Sequence, residues 1–235
     1  MADRTISISQ LLCIGDEVGM VRVPQFPAAF RASTTPESSI EFAAATILDR
    51  VALGALTQQT CPKKLFEIGT FRGVTAVTLA LNAPPDAILF TLDLPPEIDT
   101  AEVAARFYSY NTASGFHQMA AAGVARDVGQ LLALCRSGCK IEQLFGDSTT
   151  FDYAPYRDVI DLFFIDGCHS QEMARRDTLN AWACVRAGGL IVWHDYPWPS
   201  VQEAIQETDL PVEVTWIEGT NVAFARKSES RPSSQ

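Results

Sequence analysis

From residue 63 onward, short apolar runs alternate with longer amphipathic segments. The runs at 65–68, 87–94, 141–145, 159–165 and 190–193 predict strands, and the run at 159–165 is apolar on both faces, as a central parallel strand must be. Between them, 73–81 reads as a helix stopped by Pro84-Pro85, and 170–186 as a helix ended by Gly188-Gly189. Residues 99–136 read as helical with breaks at Gly115 and Gly123, and 200–207 as a short helix. Residues 211–216 and 221–225 predict a closing hairpin around Glu218-Gly219. Upstream, the first 35 residues are weakly patterned. A helix is then predicted to start at Thr35-Pro36, with Ile40, Ala44, Ile47, Leu48, Val51 and Ala55 on one face.

Strand–helix alternation of this kind predicts an α/β fold: a doubly wound, Rossmann-like, mostly parallel sheet of seven strands with a C-terminal antiparallel hairpin. The expected division is an N-terminal extension and helix over 1–60, the sheet domain over 61–227 and a disordered tail over 228–235. With 235 residues there is room for one such domain and not two. Ligands in such sheets bind at the carboxyl ends of the strands, which directs attention to the residues found there.

The first run ends in Glu67-Ile68-Gly69-Thr70-Phe71-Arg72-Gly73, a glycine turn leading into a helix whose free N–H groups face the ligand side. Asp93 ends the second run, roughly 20 residues on, where a carboxylate accepts from the two hydroxyls of a ribose. Asp147 and Ser148 follow the third run and are placed to meet an adenine, or to make an ordinary turn. The fourth run ends in Asp166-Gly167-Cys168-His169 and the fifth in His194-Asp195. If those two strands are neighbours, about 5 Å apart, then Asp166, His194 and Asp195 converge. Two carboxylates and an imidazole suit a divalent cation that keeps positions open for a substrate oxygen. His169 is a candidate proton acceptor. The bland alternative is a set of strand-end acids held by helix caps.

Together these residues resemble the class I methyltransferases that use S-adenosylmethionine (SAM). The E-I-G-T-x-x-G turn is similar to that of metal-dependent O-methyltransferases. The pairing of F-I-D-G-C-H-S-Q-E with G-G-L-I-V-W-H-D-Y resembles the macrocin O-methyltransferase-like branch and its relatives among the cephalosporin hydroxylases. The resemblance covers roughly residues 63–196. It implies that Glu67, Gly69, Thr70 and Gly73 frame the methionine portion of SAM, that Asp93 holds its ribose, and that Asp147 and Ser148 border its adenine. It implies a divalent metal, Mg²⁺ being one candidate, on Asp166, His194 and Asp195, with Asp166 and His169 as the catalytic groups. The branch more often carries two acids where His194-Asp195 stands, and D-G-D-H where this chain has Cys168. The expected activity is methyl transfer to a hydroxyl of a small molecule. The alternative is a repurposed methyltransferase fold, either a hydroxylase-like metal enzyme or a binding protein. An NAD-dependent oxidoreductase wants G-x-G-x-x-G, and this turn lacks the middle glycine.

Composition narrows the partners. A formal net charge of -10 repels phosphate backbones, so the expected partner is a small-molecule acceptor and not a nucleic acid. The six cysteines have no disulfide-framework spacing, and no apolar run is long enough for a signal peptide or a membrane span. A cytoplasmic location without membrane contact is therefore expected, and a homo-oligomer is allowed.

Overall fold

The computed structural model describes residues 3–13, 20–24, 45–96 and 128–228. Eight strands form one sheet: β1 (Arg4–Ser7), β2 (Lys64–Ile68), β3 (Ile88–Asp93), β4 (Lys140–Phe145), β5 (Ile160–Ile165), β6 (Val185–Trp193), β7 (Thr215–Glu218) and β8 (Ala223–Arg226), in the order β1-β7-β8-β6-β5-β2-β3-β4. Among the described residues, only the β6–β8 and β7–β8 pairings are antiparallel. The described α-helices are α1 (Ile8–Cys13), α2 (Ile47–Thr60), α3 (Val74–Asn82), α4 (Gln171–Cys184) and α5 (Pro199–Gln206).

Alternation along the central strands divides the core in two. Leu65, Leu162, Phe164, Leu190 and Val192 pack with Leu53 and Leu56 of α2 and Ala76 and Leu79 of α3. Their neighbours Phe66, Phe163, Ile165, Ile191 and Trp193 face the other way, against Ala181 and Cys184 of α4 and Val201 and Ile205 of α5. A sheet covered on both faces is why these strands read as continuous apolar runs. Chain direction turns between β2, which leads outward to β3 and β4, and β5, which leads the opposite way to β6. The carboxyl ends of β2 and β5 therefore flank the crevice of a doubly wound sheet.

Several expectations are corrected. The sheet has eight strands, not seven: β1 adds to the edge, parallel to β7, with Asp3 and Arg4 donating to the Val214 carbonyl. Only Ile6 of that strand is fully buried, so it leaves little hydrophobic signal. Next, α2 starts at Ile47, and residues 45 and 46 are not helical. Thr46 caps it in a capping box with Asp49, so the helix expected to run through residues 45 and 46 is broken there. Ile47 and Leu48, expected on the apolar face, are exposed. Last, the helix expected to run to Arg186 ends at Cys184, and Val185 opens β6 with Gly188-Gly189 inside an irregular stretch of that strand. Of the predicted 99–136 helix, residues 128–136 hold only turns and a 3₁₀ turn at Leu132–Leu134. The rest of that segment, the helix start at Thr35 and residues 229–235 of the tail lie outside the described residues.

Candidate active site at the strand ends

Backbone geometry fixes the turn after β2. Gly69, Phe71 and Gly73 all have positive φ, at 97°, 44° and 91°. A Cβ on Gly69 would lie 2.0 Å from the Asp166 carbonyl oxygen, so only glycine lets the ends of β2 and β5 close on one another. Gly73 then caps α3 in the left-handed conformation. Asp93 ties this turn to the end of β3. Its Oδ2 accepts the Phe71 N–H at 2.6 Å and its Oδ1 accepts the Leu94 N–H at 2.7 Å. Each oxygen keeps a second acceptor position for an outside donor. Burial raises the Asp93 pKa, and the two amides oppose that rise.

Glu67 and Thr70 are buried at the glycine turn. Glu67 is fully buried, with one carboxyl oxygen taken by the Thr75 hydroxyl at 2.5 Å and the other by Thr91. Thr91 in turn meets Thr70, hydroxyl to hydroxyl, at 2.6 Å. These side chains brace the turn from inside, and Glu67 lies close enough to Asp93 and Asp166 to feel their charge. Burial pushes the Glu67 carboxyl up to about 8, against the two hydroxyls. A carboxyl raised in this way holds its proton in the folded state. Its stabilising effect is complete below pH 4.5 and is lost as pH rises towards 8. Wild-type protein should therefore lose melting temperature relative to Glu67→Gln between those limits, as thermal denaturation across pH would show. Parallel curves would contradict a buried, protonated Glu67.

Asp147 makes a tight turn: its Oδ1 accepts from the Thr149 amide and hydroxyl at 2.9 and 2.6 Å. Asn180 of α4 donates to the Ser148 carbonyl at 3.2 Å, which ties this loop to α4.

The ends of β5 and β6 are neighbours, as expected. The register pairs Ile165 with Trp193, and the ladder continues through the His194 N–H to the Ile165 carbonyl at 3.0 Å. Asp166, His194 and Asp195 do come together: His194 Nδ1 lies 3.2 Å from Asp166 Oδ1 and 3.2 Å from Asp195 Oδ2. His169 joins them, with Nε2 2.7 Å from Asp195 Oδ2 and 4.0 Å from Asp166 Oδ1. Asp166, His169 and Asp195 place one ligand atom each within 4.8 Å of one another, a spacing that one cation can bridge. Asp195 has φ 51°, a conformation that turns the chain sharply back at the end of β6. Trp198 lies over His169, ring centroids 4.9 Å apart, and is partly exposed beside it.

The electrostatics follow from the crowding of acids. Burial disfavours a charged His169, but Asp166 and Asp195 outweigh it and raise its pKa to about 10. The same contest raises His194 well above the ordinary imidazole value. Asp195 is held below the usual carboxylate range by the two imidazoles, against its own burial.

Asp49 was not found from the sequence. It is fully buried at the start of α2, and its carboxylate meets His194 Nε2 at 3.3 Å, the Asn221 amide at 2.7 Å and the Thr46 amide at 2.8 Å. The Thr46-Ile-Leu-Asp49 capping box was its one local signal. No local pattern links it to His194, 145 residues away.

The donors suit a divalent cation. His194 Nδ1 is a buried nitrogen with no hydrogen-bond partner, because its contacts to Asp166 and Asp195 lack hydrogen-bond geometry, and it points between two carboxylates. Two carboxylates and an imidazole form a mixed O/N set of the kind that hard and borderline divalent ions take.

No curated protein matches the sequence. Among solved structures, a putative O-methyltransferase from Klebsiella pneumoniae superposes with a TM-score of 0.51 at 16% identity, over 86% of this chain and 96% of that one. Cofactor-bound Rv0187 from MTB superposes with a TM-score of 0.50 at 21% identity, over 88% of this chain and all of the other. At such identities the likeness establishes the fold. Residues 66–196, more than half of the chain and the whole stretch from the glycine turn to the end of β6, match the family described as "Methyltransferase domain". The chain belongs to the methyltransferase-domain family.

Proposed function

We propose that the protein is a SAM-dependent O-methyltransferase acting on a hydroxyl of a small molecule, with a divalent cation at Asp166, His194 and Asp195. The observation that carries the reading is the meeting of two acids and two imidazoles at the ends of β5 and β6, beside a glycine turn locked to Asp93. The pairing of Asp166-Gly167-Cys168-His169 with His194-Asp195 supports the macrocin-like branch within the family.

In this reading SAM lies along the ends of β2, β3 and β4 and supplies an electrophilic methyl group. Gly69 and Gly73 shape the turn beneath it, Asp93 accepts from its ribose hydroxyls, and Asp147 and Ser148 border its adenine. The cation supplies positive charge that lowers the pKa of an acceptor hydroxyl. Asp166 and Asp195 orient the acceptor oxygen towards the methyl group, where the gain is mainly proximity and alignment. His169, with 34% of its side chain exposed, takes the hydroxyl proton. With Nε2 engaged by Asp195, its Nδ1 is the accepting atom, and Asp195 holds the resulting imidazolium. Neutralising part of the Asp166 and Asp195 charge also lowers the His169 pKa from its raised value, as a general base requires.

Asp93→Ala removes a charged acceptor from two ribose hydroxyls and should weaken SAM and S-adenosylhomocysteine (SAH) binding by about 1–3 kcal/mol. Calorimetry showing unchanged SAH affinity would remove Asp93 from the site. The activity itself is tested with methyl-labelled SAM and a panel of hydroxylated small molecules. Label recovered on oxygen supports the proposal. SAM that binds tightly yet transfers nothing to any acceptor favours a repurposed fold.

A further inference from the structure

The proposed reaction uses the acids and imidazoles of the strand ends and gives no role to Asp49, a fully buried acid in contact with them. Asp49 reaches the site from behind, from the first turn of α2, a helix that forms neither the SAM turn nor the strand ends. Its carboxylate is filled with donors. Oδ1 takes the Asn221 amide at 2.7 Å. Oδ2 takes the Thr46 amide at 2.8 Å, the Asn221 side-chain Nδ2 at 3.2 Å and His194 Nε2 at 3.3 Å. Three of these four partners can only donate, which marks the group as an acceptor.

We infer that Asp49 is a positioning residue that holds the proton of His194 on Nε2, so that the Nδ1 lone pair is directed at the cation shared with Asp166 and Asp195. The inference rests on the cation proposed above. Its physical basis is general: an imidazole that binds a metal through one nitrogen gives the other N–H to a carboxylate or carbonyl, which fixes both tautomer and ring orientation. Here the ring has little freedom. His194 is buried, Phe164 lies edge-on to it with ring centroids 6.2 Å apart, and Nδ1 sits 3.2 Å from each strand-end acid. A neutral ring with its proton on Nδ1 would turn a bare Nε2 lone pair towards the Asp49 carboxylate, two acceptors face to face. Asp49 excludes that tautomer. It also couples the cation site to α2 and, through Asn221, to the loop between β7 and β8.

Asp49→Asn tests the role directly. The amide cannot accept from all four donors. With its own NH₂ turned to His194, it stabilises the Nδ1–H tautomer, which has no lone pair for a metal. Mn²⁺ affinity, measured by calorimetry on the full chain, should fall roughly 10- to 100-fold, with SAH affinity within a factor of about two. Asn221→Ala is the structural control. It removes one donor from Asp49 and leaves the His194 contact, so it should lower melting temperature and keep Mn²⁺ affinity. Nitrogen-15 spectra of the histidine rings supply a readout independent of folding losses: wild-type His194 should carry a proton on Nε2, and Asp49→Asn should leave Nε2 unprotonated. Two results overturn the inference: an unprotonated Nε2 in wild-type protein, or a folded Asp49→Asn variant with wild-type Mn²⁺ affinity. If wild-type protein binds no Mn²⁺, the cation proposal fails. The ring spectra still decide the role of Asp49, since the Nε2 proton faces Asp49 with or without a cation and its loss in Asp49→Asn is expected in both cases.

Discussion

Asp195→Ala is expected to abolish methyl transfer while leaving SAH binding close to wild type. Asp195 sits where the site's charges meet: its Oδ2 lies 2.7 Å from His169 Nε2 and 3.2 Å from His194 Nδ1. Truncation removes a proposed metal ligand and the carboxylate that stabilises a protonated His169. Loss of a positioned acid–base pair costs roughly a hundred- to ten-thousand-fold in turnover, and loss of the cation adds to it. Chelation by EDTA should reproduce the defect in wild-type protein. The cofactor turn is built by other residues, Gly69, Phe71 and Asp93, so SAH affinity should change little. Asp166→Ala should impair both, because its side chain faces His194 and its charge also reaches Asp93 at the cofactor turn. His194→Ala should be as damaging as Asp195→Ala, since the structure places this ring at the centre of three carboxylates. Full turnover of Asp195→Ala in EDTA would confine these acids to a structural role.

Gly69→Ala is expected to have the largest effect on the fold. Two penalties combine. A non-glycine residue at φ 97° is strained by about 1–3 kcal/mol. The new methyl would also stand 2.0 Å from a backbone oxygen that cannot rotate away, and overpacking of that kind typically adds about 1–3 kcal/mol. For a domain of this size the sum corresponds to a melting temperature lower by about 10 °C. SAH binding should fall with it, because relief of the clash separates the ends of β2 and β5. Gly219→Ala is the matched control: φ is again positive, at 81°, but nothing lies within 4 Å of the added Cβ. It should show the strain alone. Equal losses in the two variants would mean that the close approach at Gly69 is unimportant.

The sequence was most readable where burial imposes a period. β2, β3, β4 and β5 run through the two-sided core, and their apolar runs lie within a residue or so of the strand bounds. Strand ends were readable for the same reason, so Asp93, Asp166, His194 and Asp195 could be placed on one edge of the sheet. Legibility failed where structure depends on distant partners. β1 is four residues held by β7, from the far end of the chain. The junction of α4 and β6 has no loop between Cys184 and Val185, and a glycine pair inside the strand imitated a helix stop. At the site, the side-chain directions of Glu67 and Thr70 depend on Thr75 and Thr91, hydroxyls supplied by neighbouring elements. Asp49 reads as a helix cap and nothing more until the fold brings His194 to it.

The most direct test of the account is one crystal structure of the protein with SAH and Mn²⁺, with anomalous diffraction recorded to locate the metal. SAH is expected over the Gly69–Gly73 turn, with its ribose hydroxyls on Asp93 and a single anomalous peak coordinated by Asp166, Asp195 and His194 Nδ1 on the side of the SAH sulfur. SAH bound away from Asp93, or no metal peak among these three residues, would contradict it.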